Sequence, residues 1–149
     1  MQLNKEDGGN RKFILCTNNE NKICEEVTYK RLQNIQEELP HNLKYFKTDF
    51  IPKLSEGEEI LSSKLIGYIK EMVELEHMCQ IDGKKRRIVL SDEDLKSALN
   101  EMKEEGTIYI PSFVLLTNHE KSILDGKKVK MVTIPDYYFE NELREVKEL

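Results

Sequence analysis

Between residues 12 and 46 the sequence changes its hydrophobic period twice, and few folds accommodate that. Lys12-Phe13-Ile14-Leu15-Cys16 is an apolar run behind a single charge, followed by the polar stretch Thr17-Asn18-Asn19-Glu20. A short continuous apolar run bounded by turn residues is the pattern of a strand buried on both faces of a parallel sheet. Ile23, Val27, Leu32, Ile35 and Leu39 then recur at helical spacing, which predicts an amphipathic helix over residues 22–38, ended by Pro40. Leu43-Lys44-Tyr45-Phe46 reads as a second strand, with Asp49 just past its end. Strand, helix and strand in succession make a β-α-β unit, which belongs in a parallel or mixed sheet.

The remainder continues the alternation. Residues 1–10 are polar and contain Gly8-Gly9, so they read as a loop, and residues 52–57 read as a linker. Leu61, Leu65, Tyr68, Met72 and Leu75 form one stripe of a helix over residues 58–76. Asp82-Gly83 between two apolar segments predicts a hairpin over residues 78–90. Ser91 with Asp94 three residues on is a capping pattern; Leu95, Ala98, Leu99 and Met102 then mark a helix, with Gly106 as its stop. Residues 108–116 read as extended, with Pro111 at a bend or an edge. A short helix from Asn118 to Leu124, stopped by Asp125-Gly126, precedes a strand over residues 128–134. Asp136 opens a last helix through Leu149, with Phe139, Leu143 and Val146 facing inward.

Composition narrows the chemistry. The chain has 149 residues, 38% hydrophobic and 34% charged, which suits one ordinary globular domain or two small α/β layers. No apolar run approaches the roughly 18 residues a membrane span needs, and the N-terminal residues lack the apolar core of a signal peptide. A cytoplasmic location is the expectation. Cys16, Cys24 and Cys79 are widely spaced and form no C-x-x-C; Cys16, inside an apolar run, is expected to be a buried reduced thiol. His41, His77 and His119 are isolated, so no metal site is expected. The net charge of −5 argues against a dedicated nucleic-acid-binding domain. The basic cluster Lys84-Lys85-Arg86-Arg87 reads either as a solvated turn or as a finger touching a phosphate backbone.

Open α/β sheets bind ligands at the carboxyl ends of their strands, which here are Thr17-Asn18-Asn19-Glu20 and Thr48-Asp49. An acidic residue after the second strand of a nucleotide-binding sheet can accept both ribose hydroxyls, and a polar group after the third can bond an adenine edge. The plainer alternative is that Asn18, Asn19 and Glu20 start the next helix as cap residues. A phosphate-binding glycine loop is not available for either role, because Gly8-Gly9 precedes a strand pattern and not a helix.

The run from Asp7 to Asn21 (DGGNRKFILCTNNEN) closely resembles a segment of the modification methyltransferases of type III restriction-modification systems. Glu26–Leu32 (EVTYKRL) is similar to the helix that follows it in that family, and Asn42–Phe50 (NLKYFKTDF) to the next strand. Ile134–Phe139 (IPDYYF) resembles the family's C-terminal segment. The likeness is strong over residues 7–50 and weaker over 58–130. It implies a partial Rossmann-like methyltransferase sheet over residues 1–52, the C-terminal part of an S-adenosylmethionine-binding domain, followed over 53–149 by a helix and a small α/β region. The family methylates the exocyclic amine of adenine in DNA, with the target base flipped out of the duplex. By resemblance, Glu20 with Asn18 nearby would lie at the ribose of the cofactor and Asp49 near its adenine; the polar Thr17 and Asn18 depart from the acidic residue many methyltransferases carry there.

Two family motifs are absent from the chain. The Asp-Pro-Pro-Tyr run that holds the target amine has its nearest mimic in Pro135-Asp136-Tyr137-Tyr138, which lacks the paired prolines. The Phe-x-Gly-x-Gly loop that wraps the methionine portion of the cofactor is missing as well; in the family it precedes a helix ending in a segment like Gln2–Asp7, so Met1 would be internal to that helix. No catalytic residue is therefore assigned. The expectation is a C-terminal fragment of a site-specific adenine-N6 methyltransferase, inactive alone and binding no cofactor. It would act on DNA through the intact enzyme, alongside the restriction subunit. The alternative is a non-catalytic module that docks a restriction or methyltransferase subunit. A strand at residues 12–16 without its neighbour would leave an apolar edge, which predicts a homodimer, pairing with a missing N-terminal part, or a rearranged N-terminal segment.

Overall fold

A computed structural model describes residues 1–49 and 65–139. The chain divides into two compact units, Met1–Lys47 and Thr48–Leu149.

The first unit is helical. α1 (Gln2–Asp7) ends on Gly8, whose φ of 67° gives the left-handed exit a glycine tolerates best. Asp7 and Arg11 then close the loop bidentately, at 2.6 and 2.9 Å, and Asn4 Oδ1 accepts the Arg11 backbone N–H at 3.0 Å. A 3-10 turn (Glu20–Lys22) and a π-helical turn (Cys24–Thr28) lead into α2 (Tyr29–Asn34). The expected helix thus forms, with an irregular first half.

The two strands expected here are not formed: residues 12–16 and 43–46 join no strand ladder among the described residues. The reason is energetic. A lone strand satisfies its backbone hydrogen bonds only through water and buries neither face. Ile14 and Leu15 are each 58% exposed, and no residue of Met1–Lys47 is buried. Cys16, expected inside, is exposed for the same cause.

The second unit is a three-layer α/β arrangement. α3 (Ile69–Glu76) precedes β1 (Arg86–Ile88), α4 (Asp92–Glu101), β2 (Gly106–Pro111), α5 (Asn118–Gly126), β3 (Val129–Ile134) and a 3-10 turn at Asp136–Tyr138. The strands form one parallel sheet in the order β1-β2-β3. Strand parity assigns the faces. Val89, Ile108, Ile110 and Val129 pack with Leu95, Ala98, Met102 and Leu124 of α4 and α5. Ile88, Tyr109, Val132 and Ile134 pack with Ile69 and Val73 of α3, and with Phe139. β2, central and covered on both sides, is nearly all apolar, as a doubly buried strand requires.

Local chemistry explains the elements. Ser91 Oγ accepts the Asp94 N–H at 3.1 Å and caps α4. Asp92, Glu93 and Asp94 fill that helix's first turn, while Lys127 Nζ donates to the carbonyl oxygens of Leu99 and Met102 at its other end, so both charges match the helix dipole. α5 has a complete capping box, Thr117 with Glu120. Pro111 is tolerated in a central strand because it is the last residue of the ladder, opposite Ile134.

Three expectations change. Residues 78–90 are not a hairpin: Asp82 Oδ1 accepts the N–H groups of Lys84, Lys85 and Arg86 at 2.8, 2.8 and 2.9 Å, and the outgoing segment pairs in parallel with β2 instead of turning back. Gly106 does not stop α4, which ends at Glu101 with Met102 as its extended C-cap; Gly106 opens β2, where any Cβ would meet the Met102 side chain and lie 2.7 Å from the Lys85 carbonyl oxygen. Residues 112–116 leave the sheet after Pro111. The helix expected over 58–76 is described from residue 65, its start lying outside the described residues. Asp136 begins only a 3-10 turn, with Phe139 buried as expected; residues 140–149, including Leu143 and Val146, also lie outside.

Candidate functional site

In a parallel sheet the carboxyl ends of the strands are the usual place for a ligand. Here those ends are occupied by groups that satisfy one another. Asp94 Oδ2 accepts the Leu90 N–H at 3.1 Å. Ser112 Oγ donates to Asp136 Oδ1 at 2.6 Å, linking the ends of β2 and β3. Glu120 Oε2 accepts both the backbone N–H and the hydroxyl of Thr117 at 2.8 Å, which holds its carboxyl below the usual range. The helix N-termini facing this end, normally receptive to anions, are thus capped from within and surrounded by carboxylates. A phosphate would meet repulsion where a nucleotide fold offers open N–H groups.

The residues expected at a cofactor are arranged differently. Thr17 Oγ accepts the Asn19 N–H at 3.2 Å, and Asn18 Oδ1 accepts the Glu20 N–H at 3.2 Å. Asn18 Nδ2 donates to Glu20 Oε2 at 3.4 Å, and Asn19 Oδ1 accepts the Cys24 N–H at 3.0 Å. Asn19 and Asn21 are left-handed, a conformation asparagine adopts more readily than most residues. The polar run therefore forms a hydrogen-bonded turn just before the first helical turns, with no side-chain cap on them. Asn18 and Glu20 are brought together on the surface of the first unit; Asp49 is exposed and belongs to the second. A shallow open hollow of about 380 Å³ in the first unit is lined by Tyr29, Gln33, Gln36, His41 and Leu43, and by none of these three.

Tyr109 carries a large electrostatic perturbation. Burial, then a 3.3 Å contact between its hydroxyl and Cys79 Sγ, pushes its pKa up to about 12, so it is a neutral phenol at any physiological pH. The His77 ring lies 4.9 Å from the Tyr109 ring.

The basic run resolves into two faces. Arg87 turns toward α4, where it donates to Glu101 Oε2 at 2.9 Å and to Ser97 Oγ at 3.1 Å. Arg86 has the opposite parity and is exposed. Register places it beside Thr107, and Thr107 beside Lys130, so the three form one row across the sheet. The sequence singles out the run but not Lys130, which only strand register joins to Arg86.

Among the described residues no group of His, Cys, Asp and Glu could hold a metal ion, and no helix is long and apolar enough to cross a membrane. Comparison with known proteins returns nothing: no family model, no curated protein and no solved structure matches the chain. The likeness to modification methyltransferases rests on the residues quoted above.

Proposed function

We propose that this chain is a non-catalytic part of a DNA adenine-N6 methylation system of the type III restriction-modification kind. In this reading residues 1–52 belong to the S-adenosylmethionine-binding part of the intact enzyme, where the runs at 12–16 and 43–46, which form no strand here, would gain strand partners, and the second unit is an α/β module that docks a restriction or methyltransferase subunit. The observation that carries the docking role is the closed, acidic carboxyl end of the β1-β2-β3 sheet: the place where such a sheet would bind a nucleotide is filled by the Ser112–Asp136 and Thr117–Glu120 pairs. What supports the methyltransferase role of residues 1–49 is their resemblance, together with the exposed Phe13, Ile14 and Leu15, which have strand character and no strand beside them.

S-adenosylmethionine belongs to the intact enzyme in this reading. The residues present do not make its site alone: Asn18 and Glu20 hydrogen-bond each other on an exposed turn, and the chain contains no Phe-x-Gly-x-Gly or Asp-Pro-Pro-Tyr run. No step of methyl transfer is assigned to any residue here. Two measurements test the proposal. Titration calorimetry of the chain with S-adenosylmethionine is expected to give no binding; submillimolar affinity would overturn the non-catalytic reading. Pull-down with purified type III restriction and methyltransferase subunits is expected to retain the chain, and loss from both would remove the docking role.

A further inference from the structure

No further inference is drawn: the strongest candidate, the His77–Cys79–Tyr109 side-chain cluster where the chain leaving α3 meets β2, rests on a lone cysteine whose thiol–phenol contact and the neighbouring ring contact both lie within the cluster, and neither points to a ligand or reactant that it would take.

Discussion

The two units of this chain contain similar kinds of side chain and use them in opposite ways. The second buries Val89, Ala98, Ile108 and Leu124 completely, in clusters on both faces of a sheet. The first buries nothing, although Phe13, Ile14, Leu15, Ile23 and Val27 are as apolar as any residue of the second. The difference is supply of partners. A parallel strand becomes a core element when it has a neighbour on each edge and a helix on each face, as β2 does. Among the described residues the run at 12–16 has no strand beside it, and its exposed apolar side chains forgo part of the roughly 1.5–3 kcal/mol that full burial contributes. The second unit buries a core on both faces of its sheet; the first keeps its apolar side chains at least partly exposed.

The contrast can be broken most directly in the cores. Ile108→Ala should lower stability by about 3–4 kcal/mol, since it removes three carbons from a fully buried site between β2 and α4. Leu15→Ala, an equally large truncation, should change stability by less than about 0.5 kcal/mol. Chemical denaturation followed by circular dichroism measures both, and a comparable loss from Leu15→Ala would show that the first unit has a core after all.

Gly106→Ala is a smaller perturbation of the same side of the comparison. Its Cβ would press on the Lys85 carbonyl oxygen, a backbone atom that cannot swing aside, and on Met102, which can. The expected cost is about 2 kcal/mol, with the β1–β2 edge losing hydrogen-exchange protection first. No change in melting temperature would mean that β1 is held less firmly than its ladder implies.

The smallest effect is electrostatic. The backbone N–H of Arg86, then that of Lys84, holds the Asp82 carboxyl below its ordinary value of 3.8. A group whose folded pKa is depressed stabilises above its unfolded pKa and loses that contribution as pH falls through the folded value. Asp82→Asn keeps an acceptor and removes the charge. It should cost well under about 1 kcal/mol at neutral pH, because the site is exposed and solvent screens it. The gap between the two proteins should close on acidification below the ordinary carboxylate range. A gap that widened instead would contradict the assignment of the turn.

Much of the second unit is readable residue by residue. Ser91 and Asp94 announce the start of α4, the alternation in residues 128–134 announces β3, and Phe139 announces a buried position; each depends on neighbours a few residues away. Other features are not readable locally. Asp82-Gly83 fits a hairpin as well as an Asx-type turn, and the choice falls to β2, more than twenty residues on, which offers a parallel partner. Gly106 fits a helix stop until Met102 and Lys85 are folded around it. The proposed cofactor residues divide in the same manner. Asn18 and Glu20 hydrogen-bond each other within a local turn, whereas Asp49 belongs to the other unit.

By itself the sequence determined the hydrophobic periods, the caps and the alternation of strand and helix. These are properties of windows of about ten residues, governed by side-chain periodicity and backbone hydrogen bonding. Tertiary structure alone decided which apolar runs became strands, because a strand is completed by a neighbour that its own sequence does not contain. It also decided that Arg86 and Lys130, forty-four positions apart, share one row while adjacent Arg87 turns to the other face. Strand pairing sets that row, and a period of two along the backbone separates the neighbours.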